Sequence, residues 1–89
     1  MLLKQNYTHS MIALKDILED IAKAIVDNPD QVNVTEELDS EGNVVLTLSV
    51  APDDMGMVIG RHGKIAKAIR TVVKAAANTL KTKVTVEIK

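Results

Sequence analysis

The 89-residue sequence predicts a single α+β domain of two layers, in which three helices cover one face of a three-stranded sheet. Three observations lead to it. Two long segments carry apolar residues at helical spacing, three short segments alternate apolar with polar residues, and the chain is too short for a second core. The element order read from these patterns is α-β-β-α-α-β.

Leu14, Ile17, Leu18, Ile21 and Ile25 write the first helix, with Lys15, Asp16, Glu19, Asp20 and Lys23 on its other side. Asn28-Pro29 stops it, because a residue before proline is pushed out of the α region. Val32, Val34 and Leu38 then alternate with polar residues, and Val44, Leu46, Leu48 and Val50 do so again after the turn chemistry of Ser40-Glu41-Gly42-Asn43. This is a β-hairpin closed by Pro52. Asp53 and Asp54 have the charge that suits a helix start, Met55 to Ile59 form a short helix, and Gly60 ends it. After Gly63 a longer helix follows, its apolar stripe expected on Ile65, Ile69, Val72, Val73, Ala76 and Leu80 and a basic face on Lys67, Arg70 and Lys74. Val84, Val86 and Ile88 alternate with Lys83, Thr85 and Glu87 as the last strand.

Composition excludes several function classes. Without cysteine there is neither a disulfide nor a Cys-based zinc site, and His9 and His62 stand far apart, so no metal is expected. MLLKQNYTHS lacks the apolar stretch of a signal peptide, and no run approaches the roughly 20 apolar residues of a membrane span. A cytoplasmic protein without a membrane partner is expected. Asp53 and Asp54 are adjacent and would point to different faces of a helix, and no nucleophile–base constellation is legible, so no enzyme, cofactor or small-molecule substrate is expected.

The formal net charge of −1 hides two poles. Residues 1–54 hold three basic and eleven acidic residues (3 − 11 = −8), and residues 55–89 hold eight basic residues and Glu87 alone (8 − 1 = +7). Such asymmetry points either to an acidic or nucleic-acid partner for one part of the molecule or to pairing of the two halves.

Residues 58–70, VIGRHGKIAKAIR, carry the motif that weighs most. Its glycines do not fit a dinucleotide fingerprint, since the spacing is Gly56-x-x-x-Gly60-x-x-Gly63, nor a Walker loop, since Ile65 follows Gly63-Lys64. A G-x-x-G between two helices is instead the feature with which a KH domain clamps the backbone of about four nucleotides. Gly60 and Gly63 would bare the main chain, Arg61 would add a planar multi-donor cation, and Lys64, Lys67, Arg70 and Lys74 would extend the track. Ile59 or Ile65 would edge an apolar groove for bases. A plain helical turn is the competing account of the two glycines.

The stretch PDDMGMVIGRHGKIAKAIRTVVKAAA, residues 52–77, resembles the signature of the KhpA family of small stand-alone bacterial KH-domain RNA-binding proteins, and AKAIVDNPD at 22–30 is also typical of it. The similarity runs from about Met11 to Lys89. It implies a type II KH domain with a mixed sheet over residues 11–89, after an N-terminal extension, 1–10, whose order the sequence leaves open. It implies single-stranded RNA as partner and a role as an RNA chaperone. It also implies a homodimer, a complex with a larger KH protein of the KhpB or Jag type, and links to cell elongation, division and peptidoglycan homeostasis. The RNA clamp carried over from the family is Gly60, Arg61, His62 and Gly63, with Ile59 before it and Lys64 after it. Met57 departs from the pattern, standing where many relatives have Arg or Lys. A protein-interaction module is the other class of function, motivated by Ala66, Ala68, Ala75 and Ala77 beside the main stripe.

Overall fold

The computed structural model describes residues 14–89. The extension expected over residues 1–10, and the start of the domain at residue 11, lie outside them. The described elements follow the expected order: α1 (Leu14–Ile25), β1 (Asn33–Leu38), β2 (Val44–Ser49), α2 (Met55–Ile59), α3 (Lys64–Thr79) and β3 (Val84–Ile88). Single 3-10 turns at Pro29–Gln31, Pro52–Asp54 and Arg61–Gly63 join them. The sheet has the order β1-β2-β3, with β1 antiparallel and β3 parallel to the central strand. A parallel pair needs a long crossover, and α2 with α3 supplies it. This is the mixed three-stranded sheet of the α+β class.

The core lies between the sheet and the helices, with Leu18, Leu46, Leu48, Val58 and Val73 fully buried. Helix α1 contributes Leu14, Leu18 and Ala22 from its inner face, flanked by the half-buried Ile17, Ile21 and Ile25. Helix α3 differs from its expected stripe. Its buried line is Ala66, Ile69, Val73 and Ala77, whereas Ile65, Val72 and Leu80 are 39%, 50% and 43% exposed. The short alanines on the inward side let α3 approach the sheet closely, and the longer side chains are left at its margin. Ala66 and Ala77 are therefore core residues, not a spare docking strip. Leu38 is likewise 68% exposed, because it ends the edge strand beside Glu36, where no helix of the described chain covers the sheet.

Asp54 is the one buried charged residue among those described, and it makes no cap bond at α2. Its carboxylate instead accepts hydrogen bonds from the backbone N–H of Asp27 (3.4 Å) and Asn28 (3.0 Å) and from Asn28 Nδ2 (3.1 Å). The end of α1 is thereby tied to the start of α2, across 26 residues of chain. Asp53, beside it, is exposed. The hairpin turn is organised by a second aspartate: Asp39 accepts from Glu41 N (2.8 Å) and Asn43 N (2.9 Å), while Gly42 takes φ +84°. The Asn43 N–H, with those of Glu41 and Gly42, holds the Asp39 carboxyl below its ordinary value. Helix α3 ends in a Schellman motif, with Thr82 N–H on the Ala77 carbonyl (2.9 Å), Lys81 N–H on that of Asn78 (3.0 Å), and Lys81 left-handed at φ 57°.

Asp54→Ala leaves three donors without their acceptor, two of them main-chain groups. Charge-assisted hydrogen bonds of this kind contribute about 1.5–3 kcal/mol each when lost singly, and a shared acceptor makes the losses less than additive. The expected outcome is a destabilisation of about 3 kcal/mol in urea unfolding, against less than about 0.5 kcal/mol for Asp53→Ala, a surface change.

Candidate nucleic-acid interface

Helix α2 stops at Gly60, whose N–H still bonds to the Gly56 carbonyl (2.9 Å) while its own backbone turns to φ 76°, ψ 174°. That region of backbone space is open essentially to glycine alone. A second constraint acts at the same atom. A Cβ on Gly60 would overlap Ile65 Cγ1 and stand 2.8 Å from Ile65 Cβ and 2.9 Å from Ile65 N. Gly60 is thus required by the packing of α3 onto the end of α2. Gly63 is different: it is left-handed (φ 75°, ψ 13°), but a Cβ there would meet nothing within 4 Å. It is the open glycine of the pair.

Between them His62 also adopts a left-handed backbone (φ 57°, ψ 24°), uncommon for a residue with a side chain although histidine tolerates it better than most. Three of the four loop residues therefore have positive φ. The loop is closed by Gly63 N–H on the Gly60 carbonyl (3.1 Å) and Lys64 N–H on that of Arg61. Among the described residues the N–H groups of Arg61 and His62 have no backbone acceptor, and no side chain caps the N-terminus of α3. A helical turn followed by left-handed residues is the backbone pattern of an anion-binding nest, and here it opens straight into the positive end of a 16-residue helix.

The side chains point the same way electrostatically. Helix N-termini favour acidic residues, yet the first turn of α3 has none and carries Lys64 and Lys67. Arg61, His62, Lys64, Lys67, Arg70 and Lys74 are all exposed. The sole ion pair among the described residues is Lys23–Glu19 (3.5 Å), so the basic half is not neutralised by direct contact with the acidic one. Ile59 and Ile65, each 39% exposed, and Met57, 41% exposed, place apolar surface beside the loop.

A free strand edge, which the sequence pattern does not mark, lies beside the basic side of α3. The parallel ladder begins with Val44 N–H on the Lys83 carbonyl (3.0 Å) and ends with Lys89 N–H on that of Leu48 (2.8 Å). Backbone groups alternate in direction, so Lys83, Thr85, Glu87 and Lys89 serve β2, while the N–H and C=O groups of Val84, Val86 and Ile88 face the outer edge. No described strand pairs with them. Arg70 alone reaches across, its Nε donating to the Val86 carbonyl (3.2 Å). Seven residues of helix at about 1.5 Å each set Arg70 roughly 10 Å beyond Gly63. The loop leads directly into α3, and Arg70 joins the basic side of that helix to the free edge of β3. Lys74 lies further on, in an open cleft of about 330 Å³ lined also by Asn43, Asn78, Lys83 and Thr85.

The two glycines are expected to separate in a stability measurement. Gly63→Ala meets only the left-handed penalty of about 1–2 kcal/mol and folds. Gly60→Ala adds a collision with the backbone and Cβ of Ile65, so its loss in denaturant unfolding exceeds that of Gly63→Ala by at least about 1 kcal/mol.

The chain has known relatives. Residues 15–88 match the family model described as KhpA/KhpB, KH domain. Among curated proteins, the "RNA-binding protein KhpA" of Clostridium acetobutylicum is 56% identical over 75 residues, 84% of this chain and 99% of that protein. The "RNA-binding protein KhpA" of Aquifex aeolicus is 47% identical over 78 residues, 88% of this chain and 98% of that protein. Among solved structures, Era of Aquifex aeolicus bound to GDP and aluminium fluoride superposes with a TM-score of 0.58 at 16% identity, over 84% of this chain and 29% of Era, which is a likeness of fold. A match across nearly the whole described chain, together with the helix–G-x-x-G–helix on a mixed sheet, settles the kinship: the chain belongs to the KhpA/KhpB KH-domain family.

Proposed function

We propose that this protein binds single-stranded RNA, holding the sugar-phosphate backbone on the Gly60–Gly63 loop and letting bases lie in the groove between α3 and the β3 edge. The observation that carries the reading is the unopposed positive charge at the start of α3: free loop amides, an uncapped helix N-terminus and lysines where acids are favoured. A fold gains nothing from that arrangement by itself, and a phosphate makes it favourable. Relatives that match almost end to end are named RNA-binding proteins, which supports the same partner, and the family is not one of enzymes.

In this reading Gly63 lets a phosphate approach the main chain, and Arg61 and Lys64 supply charge on either side. Lys67 continues the track, His62 holds the loop open, and Ile59 and Ile65 offer apolar surface to a base. The shortage of aromatic residues, Tyr7 being the one in the chain, fits a backbone grip better than base stacking. A single clamp of about four nucleotides binds weakly, so a second KH module, either another copy or a larger KhpB/Jag-type protein, would supply avidity. The exposed Val72 on α3 and Leu80 just past its end give such a module apolar surface to meet. Activity as an RNA chaperone in the cytoplasm, and a part in cell elongation, division and wall homeostasis, are proposed from the family resemblance. No described helix is long and apolar enough to cross a membrane.

Titration of a fluorescent single-stranded RNA decamer, followed by anisotropy, tests the reading. With Arg61, Lys64 and Lys67 each neutralising a phosphate, log affinity is expected to fall against log salt with a slope of about −2, at roughly −0.7 per contact. Gly63→Asp sets a carboxylate in the open space at the loop and is expected to weaken binding at least tenfold in a protein that still unfolds cooperatively. Unchanged affinity in that variant would refute the loop as the grip.

A further inference from the structure

We propose that Arg70 reads a base rather than a phosphate, and that it makes the groove prefer bases with two adjacent hydrogen-bond acceptors, guanine or cytosine, over adenine. The inference rests on the RNA reading above and deepens it. Three placements carry it. Arg70 differs from Lys64, Lys67 and Lys74 in being bonded: its Nε donates to the Val86 carbonyl at 3.2 Å, which fixes the guanidinium on the strand edge instead of leaving it to swing in solvent. Val86 stands at the middle of the free edge, between Val84 and Ile88, whose backbone groups also face outward. Arg70 lies roughly 10 Å from Gly63 along α3, inside the span of a four-nucleotide footprint whose backbone is gripped at the loop.

The chemistry follows from what the bond removes and what it leaves. A bare strand edge at Val86 would offer one donor and one acceptor, which the N1 acceptor and the N6 amino donor of an adenine would match. With Arg70 already donating to that carbonyl, the guanidinium stands beside the acceptor, and a base that approaches it also meets the terminal N–H groups. These are planar and side by side, so donors outnumber acceptors on this part of the edge. An adenine amino group there would face other donors and be left unpaired on desolvation, which is costly. Guanine presents O6 and N7 together, and cytosine O2 and N3, so either can accept both N–H groups of the fork. Uracil, with an N–H between its two carbonyls, cannot accept them as an adjacent pair.

The test uses the full chain and three RNA decamers: all adenine, the same with one central guanine, and the same with one central cytosine. Wild type is expected to bind at least one substituted decamer about tenfold more tightly than the all-adenine one, and the two substituted arms tell which base fits. Arg70→Lys keeps the charge, removes the fork and frees the Val86 carbonyl. It is expected to bring the three affinities within about twofold of one another, with the salt slope unchanged. Lys67→Gln, a phosphate contact in this account, is expected to weaken all three equally and to make the slope shallower by about 0.7. If Arg70→Lys keeps the wild-type preference, or if wild type binds all three RNAs alike, the base-reading role is overturned while RNA binding stands. If wild type binds none of them, the RNA reading fails and this inference with it.

Discussion

The contact between Gly60 and Ile65 is the constraint on which the site depends. Helix α2 is only five residues long and could not hold a direction by its own hydrogen bonds. It is held by Val58, fully buried, by the Asp54 carboxylate tying its start to the end of α1, and by Gly60, which lets Ile65 of α3 close over its last turn. Because any Cβ at residue 60 would collide with main-chain and Cβ atoms of Ile65, the angle between the two helices is set by the absence of a side chain. The loop between them then has little choice of path. Its left-handed residues at 62 and 63 are the route by which four residues reverse the chain, and the same path turns amides outward.

Function in this account is a consequence of local strain retained by the surrounding packing. A histidine in left-handed backbone, an uncapped helix start and lysines at the positive end of a helix dipole are each unfavourable for folding alone. They lie next to one another and share one remedy, an anion. Elsewhere the chain follows ordinary folding rules: buried Asp54 is fully hydrogen-bonded, and α3 ends in a satisfied Schellman motif. No buried side-chain polar atom among the described residues lacks a partner.

Much of this was legible in the sequence, for identifiable reasons. Period and alternation mark five of the six elements, since those signals depend only on neighbours along the chain; the short α2 is marked by its flanking charge and glycine, and the Gly60–Gly63 loop stands out by its spacing. The inward face of α3 was misplaced because hydrophobicity favours Ile65, Val72 and Leu80, whereas close approach to the sheet selects Ala66 and Ala77. Asp54 read as a helix-start charge, because its partners Asp27 and Asn28 belong to another part of the chain. The two glycines read as equivalent; only the position of Ile65 separates the one that packing requires from the one left open. The free edge of β3 was hidden altogether, since alternation reports which way side chains point and not which strand lies outermost. Arg70, read as one more cation of a track, proved to be anchored on that edge.

The most direct test of the central claim is the backbone amide spectrum of the protein titrated with a short single-stranded RNA. The account predicts that the largest shifts fall on Arg61, His62 and Gly63 and on the first turn of α3, with smaller ones at Val86 and Ile88 on the β3 edge. Shifts confined to β1 or to the outer face of the sheet, with residues 60–66 unmoved, would contradict it.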